Sequence, residues 1–193
     1  MNKLPPQETT YLTELLQYVN DTEDYEDKKA LINQYYLKDN VHANLLQAFI
    51  ELMWHPDIHW ELPKGNPPYT PASVHVTESP SSLFKAVREL SVLFRDGASF
   101  MHDANRRELY YVHILESLST DEAKLLCEVR NRKLTSYPNI SLPIFAELFP
   151  QFLPDDVVHN AVEQAKKPVS SNPKKEPEIS EDGAKKRGRP SKV

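Results

Sequence analysis

Six of the chain's sixteen prolines fall between Pro56 and Pro80. Proline fixes its own φ, donates no amide hydrogen and restricts the residue before it. Neither a helix nor a central strand can therefore run through "HPDIHWELPKGNPPYTPASVHVTESP", residues 55–80. What folds regularly must lie on either side of this connection, and both sides carry helical spacing. "YLTELLQYV" puts Leu12, Leu15, Leu16 and Val19 on one face. A second helix is expected over 24–37, on Ala30, Leu31, Ile32 and Tyr35. A third is expected over 41–54, on Leu45, Leu46, Phe49, Leu52 and Met53, stopping before Pro56. Beyond the connection, Ser79 and Pro80 read as N-cap and first residue of a fourth helix, with Leu83, Phe84, Val87, Leu90 and Phe94 as its stripe and Gly97 as its C-cap. A fifth, over 104–118, is expected to bury Leu109, Val112, Leu115 and Leu118. Ser119 to Glu122 is a capping box opening a sixth, over 121–132. Ser141 opens a short helix closed by Pro150, and a weak last helix spans 155–166. No run alternates with period two for long enough to suggest a sheet. The expected fold is all-α: a compact bundle of about six to seven short helices, a long proline-rich ordered loop and a disordered C-terminal tail.

The tail differs from the body in charge. From Lys166 to Val193 there are nine Lys/Arg and four Asp/Glu, a net of +5; the whole chain carries −5, so the remaining 165 residues carry −10. The expected division is an acidic helical domain over 1–165, a polar linker over 166–183 with too little apolar content to order, and a basic tail over 184–193. An acidic body repels phosphate and a basic tail attracts it, so any contact with nucleic acid falls to the tail. The single cysteine, Cys127, excludes a disulfide within the chain and points to a reducing, intracellular setting. "MNKLPPQETT" has no apolar core of a signal peptide, and no apolar run reaches the roughly 20 residues needed to span a bilayer, so no membrane partner is expected.

Residues that could carry chemistry are few. His55 and His59 are four apart, but Pro56 denies them a shared helix face and no second pair completes a metal site. The acids from Asp21 to Asp27 lack the spacing and glycine of a calcium loop and read as a solvated helix start. With 4 glycines in the chain there is no phosphate-binding loop and no nucleophile elbow, and Cys127 reads as a small buried hydrophobe on the sixth helix. No metal or cofactor is implied, and the reading argues against an enzyme. An unsignalled site in the 55–80 loop is the alternative. Trp60 and Ile58 call for burial, so that loop is expected to be ordered and packed across the helices. "NRRELYYVH" could stack on a nucleic-acid strand, but its interleaved apolar residues fit an ordinary amphipathic helix better. Trp60, Pro68, Tyr69, Arg106 and Arg107 are the candidate surface for a protein partner.

Three stretches resemble a known family. "WHPDIHWELPKGNPPYTP", "RRELYYVHILESLSTDEAKLLCEVRNRKL" and "SLPIFAELFPQFLP" are similar, in this order, to small uncharacterised proteins of T-even-type tailed phages. The shared positions are Trp60, Leu62, Pro63, Pro67, Pro68, Tyr69, Arg106, Arg107, Glu108, Ala123, Lys124, Leu125, Leu126, Phe149 and Pro150, within about residues 40–153. The resemblance implies a viral source, a helical domain and residence in the host cell cytoplasm. It brings no activity with it and does not include the tail.

The tail closes in "AKKRGRPSKV". Its Arg187-Gly188-Arg189-Pro190 resembles the core of the AT-hook, a DNA minor-groove motif. The narrow, electronegative minor groove of A-tracts attracts arginine. Gly188 lets the backbone approach the groove floor, Pro190 keeps the segment extended, and Lys185, Lys186 and Lys192 can reach phosphates. The functional expectation is a non-enzymatic phage accessory protein. Its body holds an unidentified phage or host protein and its tail binds AT-rich double-stranded DNA. The alternative is a helical adaptor or virion-associated protein with no specific DNA binding.

Overall fold

The computed structural model describes residues 11–95 and 100–166. Among them are eight α-helices and no strand: α1 Leu12–Asp21, α2 Tyr25–Tyr36, α3 Asn40–Trp54, α4 Leu83–Glu89, α5 Ala104–Ser117, α6 Thr120–Arg130, α7 Leu142–Leu148 and α8 Asp155–Lys166. Short 3-10 turns stand at Val76–Glu78, Leu90–Leu93 and Pro150–Phe152. The linker and basic tail of the sequence reading, and the Gly97 C-cap, lie outside the described residues.

A side-chain cap close in sequence starts four of the eight helices. Asp24 accepts the amides of Glu26 and Asp27 at 2.9 and 3.0 Å, so the acidic run is the cap and first turn of α2. Asp39 caps α3 through the amides of Val41 and His42, Asp103 caps α5 through Arg106, and Ser119 caps α6 through Glu122. Each cap satisfies amides that the first turn leaves without a partner inside the helix.

Helices α3 and α6 lie at the centre. α3 packs on α1, α2, α4 and α6, while α6 packs on α1, α3, α4 and α5. The predicted stripes of α1 and α3 are buried as expected. Helix α2 buries Leu31, Ile32 and Tyr35, but Ala30 is exposed. Helices α7 and α8 pack together on the flank of α2, where Glu147 accepts from the Tyr25 hydroxyl at 2.9 Å and from Lys29 Nζ at 2.8 Å.

Two expectations about helix faces and ends are corrected. Helix α5 does not bury Leu109, which is 70% exposed; its inward face is Arg107, Tyr111, Ile114 and Leu115, continued by Leu118. The series 109, 112, 115, 118 advances by three, and each step falls about 60° short of a full turn, so it drifts around the helix. The series 107, 111, 114, 115, 118 stays on one side. The second correction concerns α4, which begins at Leu83 and not at Pro80. The Ser81 amide donates to Ser117 O at 3.1 Å, and this tie to the end of α5 holds the chain out of the helix until Ser82. Phe94, at the end of the predicted stripe, has extended backbone beyond the 3-10 turn.

Candidate functional site

The proline-rich segment 55–80 is a strap lying across α5, α6 and the 3-10 turn before Phe94. Its order comes largely from backbone carbonyls gripped by arginines. Arg107 donates from Nε to Glu61 O at 2.8 Å, and its Nη1 turns to Met101 O and His102 O at 2.5 and 2.9 Å. Arg132 donates from Nη2 to both His55 O and Ile58 O at 2.7 Å. Arg130 reaches Gly65 O, and Asn131 donates to Asn66 Oδ1 at 2.7 Å. A segment with so many prolines offers few amides for pairing and many free carbonyls. The planar, multi-donor guanidinium suits that surface.

Two short backbone pairings complete the attachment. Trp60 pairs with Phe94, with Glu61 N donating to Leu93 O at 3.0 Å and Arg95 N to His59 O at 3.1 Å. Ser73 pairs with Ser119, with Thr120 N donating to Ser73 O at 2.9 Å. Between them Gly65 turns the chain at φ +89°, a conformation that side chains rarely adopt.

The structure sorts the candidate partner residues. Trp60 is half-buried, edge-on to Phe94 with ring centres 4.8 Å apart and 6.2 Å from Tyr111, and its buried indole Nε1 makes no hydrogen bond. Tyr69 is half-buried against the core, and burial, with Cys127 beside it, pushes its phenol up to about 12. Pro68 and Arg106 are exposed. Arg107 is not part of a surface: it is 8% exposed, stands over the Phe100 ring at 4.9 Å and gives its donors to the carbonyls named above. That is a correction. Arg106 and Arg107 are adjacent in sequence, and the 100° turn per residue sends one outward and the other beneath the strap. The DNA-binding candidates Lys185, Lys186, Arg187, Gly188, Arg189, Pro190 and Lys192 lie outside the described residues.

Between strap and helices is a cleft of about 150 Å³ whose lining includes Leu62, Gly65, Pro67, Glu108, Tyr111 and Arg130. Behind it Tyr111 donates its hydroxyl to Cys127 Sγ at 3.8 Å. Burial pushes the Cys127 thiol up, so it stays protonated at neutral pH, and Cys127 is the buried α6 residue the sequence suggested. His55 and His59 both serve the turn between them. His55 Nδ1 accepts from Asp57 N at 3.3 Å, and His59 Nδ1 lies 2.8 Å from Asp57 O. Among the described residues no group of three or more His, Cys, Asp or Glu could hold a metal ion, and no helix is long and apolar enough to cross a membrane.

Two carboxylates were missed as organisers of this region. Glu122 is 4% exposed. A capping-box glutamate would turn back to the N-cap amide. This one takes a hydrogen bond from the Ser119 hydroxyl at 3.2 Å and crosses to accept from Leu83 N at 3.0 Å, capping α4 from another helix. Glu128 accepts from Thr135 Oγ1 at 2.6 Å and from the amide and hydroxyl of Ser136 at 3.0 and 2.6 Å, pinning the turn after α6. A glutamate inside an otherwise apolar helix face was the available signal for both.

No curated protein and no solved structure matches this chain. Residues 15–136, more than half of the chain, match the family of unknown function DUF6433, a span that contains most of α1, all of α2 to α6, the strap and the three arginines that grip it. The chain belongs to that family.

Proposed function

We propose that this protein is a non-enzymatic phage accessory protein, with a helical body that holds a protein partner and a basic tail that binds the minor groove of AT-rich DNA. The observation that carries the reading is Arg187-Gly188-Arg189-Pro190, flanked by lysines, at the end of a chain that is otherwise acidic. Two arginines flanking a glycine suit a narrow electronegative groove, and lysines suit phosphates. The phage setting rests on the resemblance of the strap, α5 and α6 to phage proteins. For the partner, Pro68 and Arg106 are the exposed ones among the candidates, and the exposed Leu109 joins them, three residues from Arg106 on the same face of α5.

The test is binding of the full chain to AT-rich and GC-rich duplexes. Tighter binding to AT-rich duplex is expected, abolished as a preference by Arg187→Ala with Arg189→Ala. Lys185→Ala with Lys186→Ala weakens binding to both duplexes alike. With about four phosphate contacts, log affinity falls against log salt with a slope of roughly −3 to −4. Equal binding to both duplexes, or binding to neither at low salt, overturns the DNA reading and leaves the adaptor reading, which the acidic body favours.

A further inference from the structure

We propose that the basic segment 184–193 docks back onto the body, in the open cleft between the start of the strap and the 3-10 turn Pro150–Phe152. This cleft holds about 500 Å³, with Ile58, Phe152 and Pro154 among its apolar lining and Glu51, His55 and Asp57 at its polar edge. Glu51 accepts from Gln47 Nε2 at 2.8 Å. Among the described residues neither Glu51 nor Asp57 is paired with a cation. Arg132, in the turn after α6, is committed to the carbonyls of His55 and Ile58. The cleft therefore combines an apolar floor with two carboxylates that form no ion pair among the described residues. Its complement is a peptide with guanidinium and ammonium groups beside a few apolar side chains.

The segment 184–193 has that chemistry: five Lys/Arg, no acid, and Pro190 and Val193 for the floor. It is also tethered at the right place. Pro154 lines the cleft and α8 starts at the next residue, so the end of α8 at Lys166 is about 18 Å away along a helix rising 1.5 Å per residue. Residues 167–183 can span up to roughly 55–60 Å when extended, ample to return. Tethering turns a weak contact into an intramolecular one with an effective concentration on the order of millimolar. Docking needs only the charges and the tether. Its consequence for DNA rests on the minor-groove reading: Arg187 and Arg189 cannot serve the carboxylates and the groove together, so docking lowers the apparent DNA affinity of the full chain.

The experiment uses the full chain carrying a nitroxide on Ser191→Cys; buried Cys127 stays unlabelled, which mass measurement verifies. The label is expected to reduce the amide NMR signals of Asp57, Ile58 and Phe152 at least twofold, with recovery in the Glu51→Gln, Asp57→Asn double variant. Broadening spread over the acidic faces of α1 and α2, or unchanged in the double variant, overturns the proposal. Broadening that vanishes on dilution with unlabelled protein assigns the contact to a second copy and also overturns it. Adding AT-rich duplex should release the broadening, and the double variant should bind that duplex at least twofold more tightly. If the label reports docking and the duplex does not bind, the docking stands and the minor-groove reading alone fails.

Discussion

Arg107 and Glu122 are charged residues whose positions on amphipathic helices gave each an obvious surface or capping role, and both turn inward to bind backbone. Arg107→Ala would leave the carbonyls of Glu61, Met101 and His102 without their donor and is expected to cost roughly 3 kcal/mol. Arg107→Lys should recover less than half of this, because an ammonium cannot reproduce the fork of donors. Chemical denaturation checks both, and a midpoint unchanged in Arg107→Ala would return this residue to the list of surface anchors. Burial pushes the Glu122 carboxyl above its ordinary range, while the bonds from Leu83 N and Ser119 oppose the shift. The folded state then holds this proton more tightly than the unfolded state, so the Glu122 contribution to stability declines as pH rises through and above the ordinary glutamate range. Glu122→Gln keeps an acceptor for Leu83 N without the buried charge. Its stability relative to the parent is expected to improve from acidic to neutral pH. Glu122→Ala removes the cap and should cost about 2 kcal/mol at acidic pH, and less toward neutral pH, where the parent carries the buried charge. Thermal melts of the three proteins at several pH values separate these effects.

At the scale of elements, the end of α6 is where helix chemistry and the strap meet. Arg132 N donates to Val129 O and Lys133 N to Glu128 O, each at 3.0 Å, which is the Schellman closure of a helix. The residue at its left-handed position is Arg132, with φ 51°, where glycine is the usual occupant. An arginine there accepts about 1 kcal/mol of backbone strain and in return aims its guanidinium at His55 O and Ile58 O. Arg132→Gly and Arg132→Ala both lose the grip on the strap, but only the alanine retains the strain. The glycine variant should therefore be the more stable of the two by about 1 kcal/mol; equal melting temperatures would show that the turn relaxes without the arginine. Trp60 is the apolar anchor of the same strap, and Trp60→Ala is expected to destabilise by roughly 3 kcal/mol, the low end for such a truncation, because the ring is half-buried. Trp60→Phe should cost less, since the indole nitrogen makes no hydrogen bond to lose.

On the scale of the whole molecule, the buried apolar residues form one cluster that runs from Leu12 to Ala161 and takes in every helix. Side chains from the strap, Ile58, Trp60, Leu62 and Tyr69, pack against it. A chain ending after Lys166 should therefore unfold in one cooperative transition, with a thermal midpoint within a few degrees of the full chain. A broadened or split transition would place part of the fold's support in residues 167–193. The same truncation should remove DNA binding altogether, since what it leaves is the acidic part of the chain.

Helix identity, the buried faces of α1 and α3, the cap at Asp24 and the burial of Cys127 were legible in the sequence because each depends on neighbours within about one turn. The face of α5 was legible in principle too, through the spacing of Arg107, Tyr111, Ile114 and Leu115, but choosing only apolar residues hid an arginine that belongs to the buried stripe. The start of α4, the crossing of Glu122 to Leu83 N, the left-handed arginine at the end of α6 and the strap's three guanidinium anchors were decided by tertiary structure alone. The contacts that set them join residues 36 to 77 positions apart, except within the turn at Arg132. Local sequence states that a glutamate can accept and an arginine can donate. Only packing decides which carbonyl or amide is left without water, and the charged side chain then goes where that unmet bond is most costly.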